Sequence, residues 1–197
     1  MSLVLASGSR SRKKLLEDAG IACRAHPASV DEAALRDRMS AAGATFQDIA
    51  EALAREKAVQ VSRKYPGQYV LGGDQLLICD GRLFAKAHNL DQARRHLKFF
   101  RGRTHYLYTS LVLVKDDEEI WRTTVTPELT MRDFSDDFLE HYLEKTGEAI
   151  LSSVGCYFLE EQGAQLFAEI KGDYFSILGL PLLPLMEILR QKGVLRR

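Results

Sequence analysis

Cysteine, proline, net charge and long apolar runs are all scarce in this sequence. The three cysteines, Cys23, Cys79 and Cys156, are odd in number and far apart. With no Cys-x-x-Cys pair or Cys/His cluster they give no sign of zinc and read as free thiols of a reducing compartment. The 27 basic and 27 acidic side chains cancel. That balance argues against nonspecific nucleic-acid binding, which shows a basic excess, so any anion site must be a local concentration of charge. The longest apolar stretch, 177–186, is broken by Gly179, Pro181 and Pro184 and falls short of the roughly 20 residues of a membrane helix. The apolar run at the start, Met1 to Ala6, is too short for a signal peptide. The expectation is a cytoplasmic protein that engages neither nucleic acid nor membrane. No GxxxxGK[ST] loop, GxGxxG turn, HExxH or GxSxG occurs, which removes the commonest NTPase, dinucleotide, zincin and hydrolase templates.

What remains is an ordinary globular composition, 46% hydrophobic and 27% charged over 197 residues, enough to bury a core without disulfides. Leu3 to Ala6 reads as a buried strand, broken at Ser7-Gly8-Ser9 and followed by a helix that ends at Gly20. Phe46, Ile49, Leu53 and Val61 form one stripe of a helix over 46–65, stopped by Pro66-Gly67. Residues 69–71 read as a strand ending in Gly72-Gly73-Asp74, and 76–84 as a hairpin turning at Asp80-Gly81. Asn89 with Gln92 opens a helix closed by Gly102. Residues 106–114 and 120–131 form a long hairpin, and Ser135 caps a helix ending at Gly147. Strands follow at 154–158 and 166–170, then a last helix at 181–192. The predicted class is mixed α/β, a partly antiparallel twisted sheet flanked by helices, in one domain over 1–197 with two lobes and a central cleft.

Several residues are out of place on structural grounds alone. Arg10, Arg12, Lys13 and Lys14 crowd the first turn of a helix, where the partial positive charge disfavours cations. Either they bind a phosphate together with the exposed N–H groups, or they form a solvated basic face. Lys57 lies midway between Leu53 and Val61 on an apolar stripe, so it needs an anion or must reach out to water. A structural ion pair and a phosphate ligand both satisfy it. Asp74 follows an apolar strand and two glycines, which places it at a strand's carboxyl end, the ligand-binding edge of open α/β sheets; an Asx-turn without chemistry is the alternative.

The order of these features resembles the Maf family of nucleoside triphosphate pyrophosphatases over nearly the whole chain. The matching segments run from Leu3-Val4-Leu5-Ala6-Ser7-Gly8-Ser9 and Arg12 through Val30-Asp31-Glu32, Arg55-Glu56-Lys57-Ala58 and Gly73-Asp74-Gln75. They continue with Lys86, Gly102-Arg103-Thr104-His105 with Thr109, Gly155-Cys156-Tyr157, and Gly172-Asp173-Tyr174 before Gly179-Leu180-Pro181-Leu182. Each is weak alone, but the order and spacing together are specific. The family's opening Ser-x-Ser-Pro-Arg-Arg here has Arg10 for proline and Ser11 for the first arginine, and its Gly-Lys-Pro is Ala85-Lys86-Ala87.

The resemblance implies a Maf-like, ITPase-like fold and hydrolysis of a nucleoside triphosphate to monophosphate and pyrophosphate. It makes Asp74 the proton acceptor for water, with Glu32 assisting and both binding a divalent cation, Mg2+ or Mn2+. Arg12, Lys57 and Lys86 would neutralise the triphosphate, and the segment Ser7 to Ser9 would cradle its oxygens. Ser11, Gln75 and Glu160 fall at positions that sort substrates. Gln75 and Glu160 match the 7-methyl-GTP subgroup rather than the dTTP/UTP subgroup, whereas Ser11 stands where the 7-methyl-GTP subgroup has tryptophan. A homodimer is also implied, though no exposed stripe marks its interface. A nucleotide-binding cell-division regulator with little turnover is the competing expectation.

Overall fold

The structure, a computed structural model, describes residues 3–196; Met1 and Ser2 of the short apolar start lie outside the described residues. Strand β1 (Leu3–Leu5) is wholly buried. It lies between two parallel neighbours, β2 (Cys23–Ala25) and the first three residues of β3 (Tyr69–Cys79). A strand enclosed in this way reads as a continuous apolar run. The hairpin from β3 to β4 (Arg82–Phe84) turns at Asp80 and Gly81, both at positive φ (48° and 71°), the backbone that a two-residue loop requires. Strand β5 (Thr104–Lys115) pairs antiparallel with β6 (Glu118–Val125) around Asp116 and Asp117, again both at positive φ. Its first residues pair with β7 (Glu128–Met131), which in turn pairs with β8 (Phe167–Lys171). The sheet order is β2-β1-β3-β5-β7-β8, with β4 on β3 and β6 on β5. It is mixed and does not close.

Two compact units arise from this path. The first comprises the chain up to Gln75, Tyr108–Val125, and the chain from Asp173 onward; the second comprises Leu76–Leu107 and Thr126–Gly172. In the first unit, α1 (Arg10–Asp18) and α7 (Leu182–Gln191) cover one apolar cluster through Leu15, Leu16, Leu185 and Leu189 with Leu3, Leu5 and Leu71 of the strands. Helix α3 (Phe46–Ser62) supplies Ala54, Ala58 and Val61 to another with Val4, Val70 and Val112. The α2 helix (Glu32–Ala41) buries no residue, which is why no apolar period announced it. The single turn α6 (Tyr174–Ile177) is capped by Asp173, whose carboxylate accepts from the Ser176 N–H. The second unit packs α4 (Leu90–Phe100) and α5 (Asp136–Thr146), with Leu97, Phe100, Leu139 and Leu143 buried.

Three expectations are corrected. Residues 72–74 do not end a strand: β3 runs unbroken through them to Cys79, because two glycines interrupt an apolar pattern without interrupting the ladder. Residues 154–158 are not a strand; a Cβ on Gly155 would lie 2.2 Å from the Tyr157 ring, which folds back over it. The second arm of the long hairpin divides at Thr126-Pro127 into β6 and β7, since proline has no N–H for the ladder. The three cysteines are free. Among the described residues no helix is long and apolar enough to cross a membrane.

Candidate active site

Alternation along β3 creates two chemically different faces. Successive strand residues point to opposite sides of a sheet, so Gly72 and Asp74 share one face, and Gly73 and Gln75 the other. On the first face lies α3. A Cβ on Gly72 would stand 2.0 Å from the Ala54 carbonyl oxygen and 2.9 Å from Ala58 Cβ, so only glycine lets the helix approach this closely. That approach brings Lys57 to Asp74.

The Lys57 ammonium donates to Asp74 Oδ1 at 2.6 Å and lies 2.8 Å from Glu32 Oε1. The side chains of Lys57 and Asp74 are only 12% and 7% exposed, against 46% for Glu32. An ammonium on an apolar stripe is held by carboxylates, as burying charge demands. Asp31 caps α2, accepting from the Ala34 N–H at 3.0 Å, and places Glu32 in the first turn, where a carboxylate is favoured by the helix dipole. The preceding loop is tied to α3 by a reciprocal pair: the Ser29 N–H donates to Gln60 Oε1 at 2.6 Å, and Gln60 Nε2 donates to the Ser29 carbonyl at 3.0 Å.

On the opposite face lies Arg12. Ser9 caps α1, its hydroxyl accepting from the Arg12 N–H at 3.3 Å. The Arg12 side chain turns inward and is 8% exposed. Its Nε donates to the Gly179 carbonyl at 2.8 Å and its guanidinium to the Ser7 hydroxyl at 3.2 Å. A Cβ on Gly73 would stand 3.1 Å from that Nε, so the second glycine makes room for the guanidinium. Burial lowers the Arg12 pKa, while the charges of Asp74 and Glu32 raise it; an arginine so placed stays protonated. The other basic residues of this turn take the blander course. Lys13 and Lys14 pair with Glu17 and Asp18 on the surface, and Arg10 is exposed.

Gln75 donates from Nε2 to the Thr109 hydroxyl at 2.8 Å and to the carbonyls of Ser176 and Ile177 at 3.2 and 3.1 Å. Ser11 is half-buried in the first turn of α1. Lys86, on the loop after β4, and Glu160, in a turn before β8, are both exposed and belong to the second unit; the constellation described here is built without them. Thr109 and the Gly179 carbonyl lacked a role in the sequence. The one signal for the latter was a glycine ahead of Leu180-Pro181, and Gly179 has a φ of +94°.

Paired carboxylates sharing one cation, beside a buried guanidinium, suit phosphate chemistry. A family profile described as Maf-like protein matches residues 2–192. The chain belongs to the Maf family. Among Maf relatives, a nucleoside triphosphate pyrophosphatase of Granulibacter bethesdensis is 52% identical, covering 99% of each chain. One of that name from Caulobacter vibrioides is 49% identical over 98% of this chain and 96% of its own. A 7-methyl-GTP pyrophosphatase of Rhizobium meliloti is 45% identical over 98% and 97%. In this Maf protein, Ser7, Ser9, Arg12, Glu32, Lys57, Asp74 and Gln75 all fall within the first unit.

Proposed function

We infer that this protein hydrolyses nucleoside triphosphates to the monophosphate and pyrophosphate. Water attacks the α-phosphorus, the bond from that phosphorus to the oxygen bridging the β-phosphate breaks, and pyrophosphate leaves. The observation that carries this reading is the Lys57 ammonium shared between Asp74 and Glu32, in a chain whose relatives are named for this reaction. Asp74 takes the proton of the attacking water, and Glu32 helps to orient that water. Lys57, released toward the incoming phosphates, leaves the Asp74 carboxylate free to act. Arg12, already desolvated and fixed by two oxygens, stabilises charge on the phosphate without further reorganisation. The turn Ser7 to Ser9 offers N–H and hydroxyl donors at the start of α1. Lys86 and Glu160 keep their roles on the family resemblance alone.

The two carboxylates converge on one cation with hard oxygens, a donor set that suits Mg2+ or Mn2+ completed by water and phosphate oxygens. Asp74 and Glu32 would hold such a cation, which would neutralise charge on the phosphates. Among the described residues no group of three or more His, Cys, Asp or Glu could hold a metal ion. Among substrates, a methylated purine such as 7-methyl-GTP is favoured by Gln75 and Glu160 and by relatives of that name at 45% and 44% identity. The test is a pyrophosphate-release screen over standard and methylated nucleoside triphosphates in 18O-labelled water. Label in the monophosphate, with 7-methyl-GTP among the fastest substrates, is the expected result. Release of orthophosphate instead overturns the reaction; a preference for dTTP or UTP overturns only the choice of base.

A further inference from the structure

The segment after Gly155 has no regular structure, yet buried polar groups hold it at both ends. Cys156 is buried and sits at a φ of +57°, a backbone that few residues other than glycine adopt. Its N–H donates to the Ser153 carbonyl at 3.3 Å, and its carbonyl accepts from the Tyr142 hydroxyl of α5 at 3.1 Å. Next in the chain, Tyr157 lays its ring over Gly155 and brings its hydroxyl 2.8 Å from Nε2 of His105, on β5. The chain then turns, the Glu161 N–H donating to the Phe158 carbonyl at 3.2 Å. A Cβ on Gly163 would lie 2.4 Å from that same carbonyl oxygen, so the turn is closely packed from its far side as well. Glu160 lies within this turn, its side chain exposed, between two anchored ends. All of these residues belong to the second unit.

His105 and Tyr157 are both buried, with the rings of Phe100 and Phe167 centred 5.4 and 6.0 Å from the imidazole. A polar pair in such surroundings adds little net stability, and an apolar pair of the same shape can replace it at small cost. What the hydrogen bond adds is direction. It ties the chain ahead of Glu160 to β5, a strand of the sheet. Supported from beneath in this way, an exposed carboxylate meets a ligand from a fixed backbone position.

We propose that His105 and Tyr157 are positioning residues for Glu160: their buried contact fixes the backbone that carries this carboxylate, and so helps to set which base the protein accepts. The proposal rests on the pyrophosphatase reading and on Glu160 as a position that sorts substrates. The pair acts on the choice among nucleotides through Glu160 and touches no phosphate.

The test measures kcat/KM over a panel of nucleoside triphosphates, with the melting temperature of each protein. The proteins are wild type, Tyr157→Phe, His105→Leu, their double variant, Glu160→Gln, and Glu160→Gln combined with Tyr157→Phe. Tyr157→Phe keeps the ring on Gly155 and removes the hydroxyl; His105→Leu is apolar and close to the imidazole in volume. In each of the three single variants the ratio between the favoured nucleotide and the other bases should fall about tenfold, the low end for a recognition contact out of place. Tyr157→Phe and His105→Leu should also melt lower, since each leaves one buried polar partner alone, and the double variant should recover because neither remains. The ratio should stay low in that double variant, which separates positioning from stability. In the Glu160→Gln background, Tyr157→Phe should change the ratio no further, because it acts through that carboxylate. A ratio that returns along with the melting temperature overturns the proposal. So does an unchanged ratio in any folded single variant, or a further change in the combined one. Should Tyr157→Phe or His105→Leu fail to fold, the double variant carries the test. A wild type that releases no pyrophosphate from any nucleotide sinks the function itself, a result distinct from all of these.

Discussion

Lys57 stands between Asp74 and Glu32 with 2.6 and 2.8 Å contacts, and the three are not equivalent. Removing the ammonium strands the buried Asp74 charge, whereas Glu32 is half in water and forfeits little. Lys57→Met should therefore cost roughly 3–5 kcal/mol in urea unfolding, much of it restored when Asp74→Asn is added. No recovery in the double variant would mean that the pair is not what burial makes costly. His105 shows the opposite strategy, a titratable group kept neutral. It is fully buried, Nε2 contacts the Tyr157 hydroxyl at 2.8 Å, and burial pushes its pKa down to about 3. The unfolded imidazole titrates near about 6.5. Above that pH neither state holds the proton. Between the two values the unfolded chain binds more protons, so stability falls as pH drops from about 6.5 toward about 3, with a slope approaching about 1.4 kcal/mol per pH unit. His105→Gln should flatten that slope in unfolding curves taken across this window; equal slopes would contradict it.

At the scale of elements, the glycine pair in β3 does separate jobs. Gly72→Ala drives a methyl into the backbone of α3 and should cost about 3 kcal/mol or more, at the upper end for overpacking. Gly73→Ala meets only side-chain ends, Leu111 Cδ2 at 3.0 Å and Arg12 Nε at 3.1 Å, and should impair pyrophosphate release far more than the melting temperature. Comparing both variants by thermal melt and by activity checks the assignment; equal effects on both readouts would refute it. The sequence placed Lys57 on an apolar stripe, because 3.6-residue periodicity needs only the chain itself. It misplaced Asp74 at a strand's end because ladder bonds are made with partners that no local pattern names. The neighbour β1 does stop opposite Leu71, so Asp74 lies beyond the end of that partner while its own strand continues. Helix α2 and the short strand β2 escaped notice since neither buries an apolar face. The Gly179 carbonyl was illegible for a simpler reason: backbone oxygens are identical in every sequence.

Over the whole molecule the charges balance, and the same holds locally. The two positive charges of Arg12 and Lys57 are matched in number by Glu32 and Asp74, which leaves no surplus positive charge in that constellation for a triphosphate. The proposed divalent cation would restore the balance. A chelator in excess should abolish pyrophosphate release and added Mg2+ or Mn2+ restore it; full activity in the chelator would contradict this. The central claim is that the Asp74 carboxylate accepts the proton of the attacking water, and the most direct measurement is the single-turnover rate of Asp74→Asn. That variant keeps the shape and removes the base. It should retain nucleotide binding and slow about 10²- to 10⁴-fold; a rate equal to wild type would contradict the account.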